Sequence, residues 1–137
     1  MACVENVLRE SGYSSKAIDL YLNKVNVGTC DDANVCFGYT GPCGDTMEIF
    51  LHVDARRIRD ATFQAIGCEG AFICGSAITE MIKGMTLNQA ESIEKKQVIA
   101  YLEGLPEEKY DCACLAVKTL RKTLEELKKN QSQKEKL

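Results

Sequence analysis

The chain has 137 residues, enough for one domain with a sizeable core and too few for two comfortable ones. Its formal net charge is -3, and 17 Lys and Arg are mixed with 20 Asp and Glu rather than gathered into a patch, which argues against a nucleic-acid partner. No apolar run reaches the roughly 18 residues of a membrane span, and MACVENVLRE lacks a basic start leading into an apolar segment, so a cytoplasmic protein is expected.

Val4, Val7 and Leu8 mark a helical turn that Ser11-Gly12 separates from a short helix over Ser14 to Leu22. From Asn34 the period changes: Val35, Phe37 and Tyr39 alternate against Cys36 and Gly38, which predicts a strand. Gly41-Pro42-Cys43-Gly44-Asp45 is a turn, and beyond it Met47, Ile49, Leu51 and Val53 alternate with Glu48, Phe50 and His52 to close a hairpin. A third strand follows near Ile58 to Ala65. Ala61, Phe63 and Ala65 share one face there while Ile58 is out of phase, so a bulge is expected near Asp60.

After Cys68 the pattern is helical. Ala71, Cys74, Ile78 and Met81/Ile82 recur at helical spacing up to Gly84. Thr86 with Gln89 is a capping-box start for a helix expected to continue through Val98, Ile99 and Leu102 as far as Gly104-Leu105-Pro106. Asp111 reads as the N-cap of a last helix, whose stripe Ala113, Val117, Leu120, Leu124 and Leu127 lies opposite Lys118, Arg121, Lys122 and Glu125. The expectation is one α+β domain over residues 1–137, a small three-stranded antiparallel sheet with helices packed on one face. Its core spans about residues 15–127 and its polar tail, 128–137, is expected to be flexible.

Eight cysteines in a reducing compartment point to metal binding or sulfur chemistry rather than to disulfides. No two form a C-x-x-C knuckle, so any metal site must be assembled from distant segments. Cys43 at the hairpin tip, Cys68 between strand and helix, and Cys112 in the first turn of the last helix all lie at element ends. Glycines flank the first two, and a helix N-terminus favours the thiolate of the last two. The plain alternative is that each is a small, half-buried hydrophobe. Cys74 falls on an apolar stripe and reads as core; Cys114 shares a polar face with Lys118 and Arg121 and is expected to point away from Cys112. Cys30 and Cys36 are spare thiols, Cys3 lies in a mobile end, and His52 is read as solvated rather than ligating.

Further motifs carry a resemblance. NVG at Asn26 to Gly28, CGDTMEIFLHVD from Cys43, IRDATFQAIGC from Ile58, GSAITEMIKGMTLNQA from Gly75 and LPEEKYDCACLA from Leu105 resemble the IscU-type scaffolds of iron-sulfur cluster assembly, equivalent to the N-terminal domain of NifU. The likeness runs from about Ser15 to Leu127. It implies that Cys43, Cys68 and Cys112 hold a cluster or metal with Asp45 beside them. It also implies a cysteine desulfurase as sulfur donor and apo-iron-sulfur proteins as recipients. A labile [2Fe-2S] cluster on three thiolates and one carboxylate, assembled from iron and persulfide sulfur, would suit a carrier that is not itself an enzyme.

The chain departs from the family at two places. A histidine often precedes the third cysteine in the family; here Asp111 stands there, as an N-cap by preference and otherwise as a second oxygen ligand. The chaperone-docking segment LPPVK becomes Leu105-Pro106-Glu107-Glu108-Lys109, which puts an Hsp70-type partner in doubt, while Lys109 keeps a cation near the cluster. Two other readings remain: a zinc-containing cysteine sulfurtransferase with Cys112 as the persulfide-accepting nucleophile, and a disulfide-based redox module. Zinc in place of a cluster and a homo-oligomer are both left open.

Overall fold

The computed structural model describes residues 3–135. Its elements run α1 (Val4–Glu10), α2 (Ser15–Leu22), β1 (Val35–Thr40), β2 (Thr46–Asp54), β3 (Arg57–Ile66), α3 (Glu69–Ile82), α4 (Leu87–Glu91), α5 (Lys95–Tyr101), a 3-10 turn (Glu107–Lys109) and α6 (Tyr110–Glu135). No helix among the described residues is long and apolar enough to cross a membrane.

The strands form one antiparallel sheet in the order β1-β2-β3. Period-2 alternation puts Met47, Ile49, Leu51, Ile58, Ala61 and Phe63 on one face, each fully buried. Removing the larger of these side chains, all but Ala61, from water contributes about 1.5–3 kcal/mol apiece, which fixes the register, since a one-residue slip would turn them all outward. The expected bulge is present: His52 pairs with Asp60 but Val53 pairs with Ile58, leaving Arg59 as the extra residue that brings Ile58 back to the buried face.

Helices α3 and α6 cover that face, with α3 against β3 and α6 against β1 and β2. Gly75 lets α3 settle directly onto Phe63, because a methyl group there would fall within the Phe63 ring. The other sheet face carries the exposed Cys36 and the half-buried Phe50 and His52, and no helix packs on it among the described residues.

Three helix boundaries differ from expectation. The helix expected to run on from Thr86 is two helices, because a second capping box, Glu94 with Gln97, starts α5 afresh. The Ile93 side chain turns into the core, and its carbonyl accepts a hydrogen bond from Arg121 Nη2 at 3.0 Å. Asp111 is not an N-cap: the 3-10 turn after Pro106 runs straight into Tyr110, so Asp111 already lies in the first turn of α6. At its other end α6 continues past Lys128 to Glu135, carrying the polar tail as helix; residues 136–137 of that tail lie outside the described residues.

Candidate metal centre

Asp45 leaves the hairpin turn at the base of β2, Cys68 is the N-cap residue of α3, and Cys112 sits in the first turn of α6. These elements converge because α3 and α6 cross the same sheet face with their N-termini at the hairpin-tip end. One carboxylate oxygen of Asp45 and the sulfurs of Cys68 and Cys112 lie within 4.8 Å of one another. Cys68 Sγ is 3.6 Å from Cys112 Sγ and 3.5 Å from Asp45 Oδ2. Two sulfurs held at about 2.3 Å by one tetrahedral metal stand roughly 3.7 Å apart, so the pair already has the spacing of a ligand edge.

Two glycines make the convergence possible. A methyl at Gly67 would stand 2.6 Å from Asp45 Cγ, and one at Gly70 would stand 2.9 Å from Cys112 Sγ. Gly44, at φ +90, turns the chain tightly between Cys43 and Asp45.

Cys43 occupies the rim rather than the trio. It is exposed, and its sulfur points at Asp111 Oδ2, 3.6 Å away. The negative charge of Asp111 pushes the Cys43 thiol above its ordinary pKa. Both residues line one cleft of about 380 Å³ with Asp45, Cys68, Cys112 and Lys109.

Lys109 gives the site its cation. Its ammonium is 3.6 Å from Glu69 Oε1, and Glu69 also accepts the Tyr13 hydroxyl at 3.2 Å. Glu69 is held below the usual carboxylate range, first by its own backbone N–H and then, against the cost of burial, by Lys109. Burial works against the Lys109 charge, but Cys68 and Glu69 alongside raise its pKa on balance. The buried Tyr13 is pushed upward by burial and by Glu69. No periodic or spacing signal in the sequence links Tyr13 or Glu69 to the thiols; only the fold joins them.

Helix N-termini were expected to favour the thiolates, but at Cys112 burial dominates. Burial, then the hydrogen bond and charge of Cys68, push its thiol up to about 12, with Lys109 opposing. The Cys112 thiol thus sits above its ordinary range, on the protonated side.

The other cysteines divide clearly. Cys74 is buried in the core as expected, and Cys3 and Cys36 are exposed. Cys30 rests 4.0 Å from Asp60, beside the sheet bulge. Cys114 shares its helix face with Lys118 and stands outside the converging donor trio, but that face is a wall of the cleft, so Cys114 is half-buried there rather than exposed to open solvent.

Fold and site together define an α+β domain with a thiolate and carboxylate donor set suited to a soft or borderline metal. The family model described as NifU-like N terminal domain matches residues 12–134. The chain is 40% identical over 124 residues to the iron-sulfur cluster assembly scaffold protein IscU of Haemophilus influenzae, covering 87% of this chain and 98% of that one. It is also 40% identical over 113 residues to an IscU scaffold protein of Archaeoglobus fulgidus, covering 82% of this chain and 74% of that one. A crystal structure of a NifU-like N-terminal region from Brucella abortus shares the fold, with a TM-score of 0.68 at 13% identity over 89% of this chain and 98% of that one. The chain belongs to the NifU-like N-terminal domain family, which includes the IscU scaffolds.

Proposed function

We propose that this chain is a scaffold on which a labile [2Fe-2S] cluster is built from iron and persulfide sulfur, bound by Cys43, Asp45, Cys68 and Cys112, and passed to apo-proteins. One observation carries the reading: donors from three remote segments, Asp45, Cys68 and Cys112, meet within 4.8 Å in a chain related to iron-sulfur scaffolds. Cys43, on the rim of the same cleft at a glycine-flanked turn, completes the set. The cluster is cargo here. Three thiolates and one harder oxygen hold one iron less firmly than four thiolates would, and an open cleft lets a recipient thiol approach. Lys109 offsets the negative charge of the bound cluster from the inner wall.

A cysteine desulfurase supplies sulfur as a persulfide in this reading, and recipients are apo-iron-sulfur proteins. Glu107 and Glu108 are exposed where the chaperone-docking segment of the family is apolar, which argues against a dedicated Hsp70 partner. Asp111, held at the rim by Cys43, is a second oxygen within reach of the cleft.

The second reading is a zinc-containing sulfurtransferase, favoured by the 3.6 Å spacing of Cys68 and Cys112, which fits one tetrahedral ion. Against it, its persulfide-accepting nucleophile would be Cys112, which is buried where Cys43 is exposed. Anaerobic reconstitution with iron and sulfide separates the two. The scaffold reading predicts a brown protein with charge-transfer absorption, lost in Cys43→Ser, Cys68→Ser and Cys112→Ser, and slower transfer to an apo-ferredoxin from Asp45→Ala. A colourless zinc protein that relays persulfide without iron would overturn it.

A further inference from the structure

Cluster sulfur must be sulfide, whereas a persulfide donor delivers it in a more oxidised state. Two thiols outside the donor trio, Cys43 and Cys114, line the same cleft. Cys43 Sγ lies 3.6 Å from Asp111 Oδ2, and Cys114 is three residues along α6 from Asp111, on the same helix face. Side chains at that spacing are neighbours, with Cβ atoms about 5–6 Å apart. Cys114 lines the same cleft as Cys43, on the wall made by Asp111, Leu115 and Lys118, and is half-buried. A methyl at Gly41 would touch Leu115 Cδ1 at 3.3 Å, so the hairpin tip rests directly on this part of α6.

We propose that Cys43 and Cys114 form a landing and resolving pair: Cys43 receives the persulfide sulfur and Cys114 releases it as sulfide inside the cleft, beside Asp45, Cys68 and Cys112. The inference rests on the scaffold reading and supplies its sulfur step. Cys43 is the exposed thiol of the cleft lining, open to a donor, whereas Cys112 is buried. In the first step the Cys43 thiol attacks the outer sulfur of a donor persulfide; the donor S–S bond breaks, leaving a persulfide on Cys43 and a free donor thiol. In the second, the Cys114 thiol attacks the Cys43 sulfur. The persulfide S–S bond breaks, a Cys43–Cys114 S–S bond forms, and the outer sulfur leaves as hydrogen sulfide, carrying the persulfide proton and the Cys114 proton. Overall the two thiols are oxidised to a disulfide and the transferred sulfur is reduced. Reduction of the disulfide by an external dithiol resets the pair.

The test is a single turnover of the metal-free, fully reduced 137-residue chain with glutathione persulfide under anaerobic conditions. Released sulfide is quantified and the cysteine linkages are mapped by peptide mass spectrometry. The expected result is about one sulfide per chain with a Cys43–Cys114 disulfide, and at least a tenfold loss of sulfide in Cys114→Val with persulfide retained on Cys43. Undiminished sulfide from Cys114→Val, or a disulfide joining Cys43 to Cys68 or Cys112 instead, would overturn the pair. Reconstitution of Cys114→Val with iron and inorganic sulfide is the companion measurement. Chromophore equal to wild type supports a role confined to sulfur release, and its loss would make Cys114 a ligand and overturn the proposal. A wild type that forms no chromophore from iron and sulfide while still releasing sulfide would count against the scaffold reading and leave the thiol pair standing.

Discussion

Gly67 is the residue on which the geometry of the donor trio turns most sharply. It bears no charge and no ligand atom, yet its missing side chain is the space that the Asp45 carboxylate occupies. Gly67→Ala is expected to push Asp45 away from Cys68 and to change the site without unfolding the domain, because the glycine is exposed. The measurable outcome is a reconstituted cluster whose transfer rate falls at least as far as in Asp45→Ala, with an unchanged thermal midpoint; transfer at the wild-type rate would show that the carboxylate need not sit where it does. Cys112 makes a second prediction at this scale. Its folded-state pKa is raised from 9.0 to about 12, chiefly by burial. Between those values the unfolded chain loses the proton while the folded chain keeps it, so the contribution of this group is full below pH 9.0 and is lost as pH rises toward 12. The urea midpoint of the metal-free protein should therefore fall more steeply over this range in wild type than in Cys112→Ser. Parallel slopes would contradict the assignment. The same retained proton must leave when metal binds, so zinc loading at neutral pH should release protons.

Among the elements, α3 joins site and core. Its N-cap residue is Cys68, and further along the helix Gly75 lies flat on Phe63 of the sheet. Gly75→Ala forces helix and sheet apart and should cost about 1–3 kcal/mol, the range for overpacking a well-filled core. Calorimetry should show a lowered midpoint together with weaker metal retention, since lifting α3 carries Cys68 away from Cys112; an unshifted midpoint would mean that the core absorbs the methyl. The strands and their bulge were legible because one sheet face is buried, so Met47, Ile49 and Leu51 keep strict alternation and the phase break at Ile58 has one cheap remedy. The break between α4 and α5 was not. It occurs at Ser92-Ile93 without Gly or Pro, and the only mark of it is the Glu94 and Gln97 box lying inside an otherwise helical pattern.

For the whole molecule, Cys68 and Cys112 could be related in advance only through family motifs, because 43 residues separate them and no spacing rule spans that distance. Cys114 shows why periodicity alone was insufficient. The helical period correctly groups it with Lys118, but whether that face meets solvent or a cleft depends on where the hairpin tip comes to rest. Asp111 is the same lesson at a boundary: one turn of 3-10 helix ahead of α6 moves it from a capping position to the rim beside Cys43. Tyr13 reaches Glu69 across 56 positions of sequence and could be found only in the folded chain. The central claim is that three thiolates and the Asp45 carboxylate hold one cluster, and unequal ligation of its irons is the direct consequence. Mössbauer spectroscopy of the anaerobically reconstituted protein tests it. The account predicts two distinct iron sites in equal amounts, converging toward one all-sulfur type in Asp45→Cys. A wild-type spectrum with equivalent irons, unchanged by Asp45→Ala, would contradict it.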